Sequence, residues 1–179
     1  MKEAAFVYAF LSRIYERPLG QRELEDLRNN PAILEQIGQQ SLEYLQGDVF
    51  EELEVDFTTI FDVNAVPVES AVIDNKEEIL VGLQNPVMFF YFEHGYEVNM
   101  NQTKILAPDH LAIELGFMQA LSYRGEDRIA AKFLSEHLMQ WVPPYLMAVE
   151  DMAQTPFYKE IADFTIDFLC SEYERLVSG

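Results

Sequence analysis

The 179-residue sequence has a single cysteine, Cys170. That excludes an intramolecular disulfide and any cysteine-rich metal site. Bases are scarce as well: 12 lysines and arginines face 31 aspartates and glutamates, for a formal net charge of −19. Such a field repels phosphate backbones and anionic lipid headgroups, so nucleic acid and stable membrane association are poor expectations. It would draw a basic segment or a cationic ligand. The eight glycines are scattered and no Gly-Lys-Ser/Thr occurs, so no phosphate-cradling loop is present. A GxSxG elbow for a serine nucleophile is also missing. No apolar stretch approaches the length needed to cross a bilayer. The N-terminal MKEAAFVYAFLSRIYERPLG is broken by Ser12 and Arg13 and lacks a small-residue cleavage site, so it does not read as a signal peptide. It reads as an amphipathic helix with Phe6, Val7, Phe10, Leu11 and Ile14 on one face. The expected compartment is the cytoplasm.

What is present is helical periodicity from end to end, with no convincing period-2 strand. Hydrophobic residues make up 49% of the chain, as in a folded globular protein. The first helix should stop near Pro18–Gly20. QRELEDLRNN makes a second, stopped by Asn30–Pro31, and AILEQIGQQSLEYLQ a third that fades at Gly47. EELEVDFTTIFD carries Leu53, Phe57, Ile60 and Phe61 at helical spacing; its threonines leave strand open, while length and flanks favour helix. Asp74 and Glu77 have the spacing of a capping box for a helix reaching Gln84. Asn85 then caps a helix with Pro86 at its first position, and Gly95 suits the left-handed site past its end. Further on, one helix is expected from Asp109 to about Tyr123, another from Asp127 to Gln140, and a third begun by Pro143–Pro144. Thr155–Pro156 opens the last. The fold class is all-α, a single helical bundle of roughly eight to ten helices. Residues 96–108 form its longest aperiodic stretch, a hinge loop between an N-terminal helical part (1–95) and a C-terminal one (109–179).

The stretch LAPDHLAIELGFM, residues 106–118, concentrates the chemistry. At about 100° per residue, Leu111, Leu115, Phe117, Met118 and Leu121 share one broad face, and His110 and Glu114 point into the same arc. Ala112 and Gly116 on the other side are small enough to let another helix approach. Asp109 reads as the helix N-cap. A glutamate on so apolar a helix needs a partner or a proton, and His110 four residues earlier is the natural candidate. Their spacing also fits two metal ligands, but His94 and His137 fall on separate expected helices, so no metal and no other cofactor is expected. His137 and Trp141, one turn apart, read as core and interface.

These residues fall in an order that resembles the TorD/DmsD/NarJ family of redox-enzyme maturation chaperones. EVDFTTIFDVNAVPVES resembles the family's aromatic segment leading to a Pro-x-Glu-Ser corner, here Pro67, Glu69 and Ser70. APDHLAIELGFM is similar to its Pro-Asp-His helix start, with Pro108, Asp109, His110 and Glu114 in place. FLSEHLMQWVPPYLMAVEDMAQTPFYKEIADF follows its distal His, Trp, Pro and Thr-Pro-Phe-Tyr pattern. Leu106 and Ala107 depart from it, standing where members often carry a glutamate and a second proline. The resemblance covers most of the chain from about residue 50. It implies one TorD-like domain without catalytic chemistry. The implied partner is the apo catalytic subunit of a molybdopterin-containing oxidoreductase, or its twin-arginine signal peptide, bound before cofactor insertion and export. Pro108, Asp109, His110, Glu69 and Ser70 become the expected peptide-binding residues, with Glu114 as buried support, on a monomer or a swapped dimer. Two other readings stand beside it: a small acid–base or metal-dependent enzyme using Asp109, His110 and Glu114, and a general helical adaptor.

Overall fold

A computed structural model of the chain describes residues 2–73, 82–98 and 107–178. The capping box expected at Asp74–Glu77 and most of the expected hinge loop lie outside those residues. The described residues are all-α. In chain order they form α1 (Lys2–Glu16), α2 (Gln21–Arg28), α3 (Pro31–Ile37), α4 (Gln39–Tyr44) and α5 (Phe50–Phe57), which continues as a π-helical turn, Thr58–Asn64. Then come α6 (Glu69–Ile73), a 3-10 turn (Gly82–Gln84), α7 (Pro86–Glu93), α8 (Leu111–Arg124) and α9 (Asp127–Phe133). A second π-helical turn, Leu134–Leu138, joins α9 to α10 (Met139–Met152), and α11 (Pro156–Ser178) ends the chain. No described helix is long and apolar enough to cross a membrane.

The helices cluster into two compact units. The first draws on Met1–Glu16, Pro67–Val142 and Leu169–Gly179. Its centre is α8, against which α1 packs closely. The small residues explain the approach: Ser12 Oγ donates a 2.6 Å hydrogen bond to the Ala112 carbonyl, and a Cβ on Gly116 would sit only 3.5 Å from that same oxygen. The buried face of α1 keeps Leu11 and Ile14 from the expected one and changes the rest. Ala4, Tyr8, Leu11 and Tyr15 turn inward while Phe6 is exposed, because alanine rather than phenylalanine fits so close a crossing. Aromatic rings from α7, α8 and α9 fill the rest, with Phe117 4.8 Å from Phe133 and Phe90 5.1 Å from Phe133, both edge to face.

The local signals at α7 act as read. The Asn85 side chain accepts hydrogen bonds from the Val87 and Met88 amides, and Pro86 follows it at the first helical position. Gly95 and Gly125 take left-handed backbone, φ +73° and +72°, just past the ends of α7 and α8. Pro143 and Pro144, in contrast, do not begin a helix. They lie inside α10. The π-helical turn upstream loosens the backbone register there, and Gln140 Nε2 caps the Ser135 carbonyl at 2.8 Å.

The second unit comprises Arg17–Val66 and Pro143–Phe168. Phe57, Phe61 and Tyr158 meet in its core at centroid distances of 4.9–6.0 Å. The expected single third helix is divided at Gly38, whose extended backbone separates α3 from α4. The cause is distant in sequence. The Glu160 carboxylate accepts from the Gln40 and Ser41 amides at 3.1 and 2.6 Å, capping α4 from another helix, and it occupies the space a side chain at 38 would need.

Candidate functional site

In the first unit, the segment before α6 runs antiparallel to the segment before α8. Glu69 N–H donates to the Asp109 carbonyl at 2.9 Å, and Leu111 N–H to the Pro67 carbonyl at 2.8 Å, forming an isolated bridge between Val68 and His110. Asp109 Oδ2 then accepts from Ser70 N–H at 2.8 Å. Asp109 is therefore not the cap of α8. His110 is: its Nδ1 accepts from Ala112 N–H at 3.1 Å. The chain turns one residue later than helical spacing alone suggests, because the bridge to Val68 holds residue 110 in extended backbone, φ −77° and ψ 136°. Accepting that bond makes the neutral imidazole carry its proton on Nε2. Burial lowers its pKa to about 4, against an ordinary 6.5, while the adjacent Asp109 charge pulls the other way.

The bridge gathers all five expected peptide-binding residues. Pro108, Asp109 and His110 come from one segment, Glu69 and Ser70 from the other, and Glu69, Ser70, Pro108 and Asp109 are buried. Asp109 is only 1% exposed and Glu69 8%. Behind them α8 brings up Glu114, fully buried, whose Oε2 accepts from Trp141 Nε1 at 3.4 Å. The expected His110–Glu114 pair is replaced by separate partners, since His110 is committed to the backbone of its own helix. Burial pushes the Glu114 carboxyl well above the ordinary range, and the Glu69 and Asp109 charges push it the same way. Tyr91 closes the cluster, its hydroxyl donating to the Pro108 carbonyl at 3.3 Å. The phenol stays protonated through burial and the same three carboxylates.

Three side chains that sequence reasoning did not assign to the site belong to it. His137 Nδ1 meets both Glu69 oxygens at 3.1 and 3.2 Å. Because a carboxylate only accepts, His137 Nδ1 carries the proton. Its ring rests between Phe133 and Phe90 at 4.9 and 5.5 Å. Trp141, one turn further, supplies the indole N–H to Glu114, and Tyr91 the hydroxyl. The spacing of His137 and Trp141 carried the signal, but nothing in it says which acids they face. Two buried carboxylate oxygens, Asp109 Oδ1 and Glu114 Oε1, have no hydrogen-bond partner among the described residues. Among the same residues, no group of three or more histidines, cysteines or acids is arranged to hold a metal.

The arrangement is a buried carboxylate cluster short of donors, walled by aromatic rings, beneath a Pro-Asp-His corner. Asp109 Oδ1 is left able to accept a further hydrogen bond.

The family model described as nitrate reductase delta subunit matches residues 21–146, which include both segments of the bridge. Two curated relatives are similar over almost their whole length. The chaperone protein TorD of Histophilus somni (strain 129Pt) is 25% identical, with 94% of this chain and 95% of that protein covered. The chaperone protein TorD of Shewanella sp. (strain ANA-3) is 24% identical, with 96% and 93% covered. No solved structure matches the chain.

Proposed function

Because the chain belongs to the nitrate reductase delta subunit family, the TorD/DmsD/NarJ group, we propose that it is a cytoplasmic chaperone for a molybdopterin-containing oxidoreductase. It binds the N-terminal, twin-arginine region of the apo catalytic subunit and releases it after cofactor insertion. The observation that carries this reading is the family match across residues 21–146, joined to relatives named as chaperones over 94% and 96% of this chain.

The chemistry of the corner supports the assignment. Guanidinium groups seek carboxylates in bidentate geometry, and Asp109 keeps one buried oxygen, Oδ1, without a partner among the described residues. In the closed form Glu69 is held by His137 and Asp109 by Ser70 N–H. A bound arginine competes for those oxygens, so peptide binding is coupled to movement of residues 67–70 against Pro108–His110. The apolar part of the signal then lies along neighbouring helices as an amphipathic segment.

Calorimetric titration of a twin-arginine peptide into the protein tests this, alongside melting of each variant. Asp109→Asn keeps an oxygen for Ser70 N–H and removes the charge; it should weaken peptide binding about tenfold with little change in melting temperature. Capture of a molybdoenzyme catalytic subunit from cells of origin is the companion experiment. A variant that melts lower yet binds the peptide unchanged, with no catalytic subunit captured, would overturn the reading.

A further inference from the structure

The second unit contains a cleft of about 300 Å³ that the site above does not use. Asp56 on α5 is one of its lining residues. That carboxylate accepts from the Gln154 and Thr155 amides at 3.1 and 2.8 Å and from Thr155 Oγ1 at 2.7 Å, tying α5 to the start of α11. Asp56 is thus saturated and structural. Val55, Thr59 and Pro156 give the cleft apolar sides, and Val55 is 65% exposed. Tyr44 lines the cleft as well, and so does Glu52, one turn before Asp56. The single hydrogen bond of Glu52 among the described residues is the one Tyr44 OH donates to Oε2 at 2.7 Å.

Size and charge narrow the occupant. Ligand pockets start at about 300 Å³, so this cleft admits one long side chain and is small for a nucleotide or a pterin. Among the described residues, no basic side chain lines it. From Glu43 to Asp62 the chain carries seven acids and no lysine or arginine. A phosphate or carboxylate is therefore repelled, and a cation is drawn in. The mixture of an aromatic ring, apolar sides and one carboxylate with an uncommitted oxygen favours a planar cation. Guanidinium can lie on the ring, cover Val55 and Pro156 with its methylenes, and bond Glu52 edge-on.

We infer that the Tyr44–Glu52–Val55 cleft is a docking site for an arginine side chain of a partner polypeptide, separate from the Pro-Asp-His corner. Glu52 is the charge that selects it, Tyr44 orients Glu52 and stacks on the ligand, and Asp56 holds the walls. The site does not require the corner to open. A partner carrying arginines engages this face while the buried cluster is still closed.

Amide NMR of the full chain, titrated with a capped peptide of two arginines followed by four leucines, tests this. The amides of Thr59, Gln154 and Thr155 should shift, and a citrulline version of the peptide should leave them in place. Glu52→Gln, which keeps an oxygen for Tyr44 OH, should weaken the cleft titration three- to tenfold, whereas Asp109→Asn should not change it. Unchanged cleft affinity in Glu52→Gln, an equal response to citrulline, or shifts confined to residues near His110 would each overturn the inference. The outcome separates it from the chaperone reading. Client capture with a silent cleft sinks this site alone, and cleft shifts without client capture sink the chaperone reading alone.

Discussion

His110 should make the protein lose stability in mild acid, by an amount that can be worked from the structure. Folded, its imidazole titrates at about 4; unfolded, it returns to an ordinary 6.5. The folded pKa is the lower of the two, so below about pH 6.5 the unfolded state binds the proton first. Stability falls as pH falls through that window and levels off near pH 4. Each unit of difference is worth about 1.36 kcal/mol, which leaves a contribution of about 2 kcal/mol between roughly pH 7 and pH 4.5. Burial is the main cause. Two features of the site act in the same direction: Nδ1 already accepts the Ala112 amide, and the imidazole sits at the positive end of α8. The comparison to make is His110→Asn, because asparagine is a good N-cap and does not titrate. Urea unfolding of both proteins across this pH range isolates the histidine, since every other titrating group is common to the two. Wild type should lose about 2 kcal/mol more than the variant. Parallel curves would refute the reasoning and mean that His110 is not held neutral. A third protein, His110→Ala, should be weaker than His110→Asn by about 1 kcal/mol at every pH through the missing cap.

Glu114 carries the opposite sign. Its folded pKa is raised well above the carboxylate range, so the native state binds the extra proton and stability declines as pH rises above the ordinary carboxylate value. Glu114→Gln, with an oxygen kept for Trp141, should therefore gain on wild type in melting temperature as the buffer goes from acid to alkaline; a constant gap would argue against a buried, protonated acid. Gly38→Ala should destabilise by about 1–3 kcal/mol, because the new methyl meets the Glu160 carboxylate that caps α4. The backbone there is extended, so the loss is steric, and thermal melting of Gly38→Ala with Glu160→Ala should show less than the sum of the single changes.

Much of the helical framework was legible because its signals are local. Asn85–Pro86 and Gly95 each act through their own backbone, and the all-α class follows from a 3.6-residue period that no strand pattern interrupts. The apolar ring of α8 was legible for the same reason: Leu111, Leu115, Met118 and Leu121 are buried as spaced. Misread elements had non-local causes. Gly38 reads as the interior of one helix until Glu160 arrives from 122 positions away, and Phe6 reads as core until α1 turns Ala4, Tyr8 and Tyr15 inward instead.

The candidate site divides along the same line. From sequence came the Pro108-Asp109-His110 corner, the pairing of that corner with Glu69 and Ser70 through family resemblance, and an acid on α8 in need of a partner. Only the tertiary structure decided the partners. It made His110 the cap and freed Asp109 to take the Ser70 amide, it gave Glu69 to His137 across 68 residues, and it set Trp141 on Glu114. Helical geometry determines which face a side chain shares. Which polar groups share a buried space depends on how segments far apart in the chain pack, since each buried acid takes whichever donor the fold brings within 3–3.5 Å.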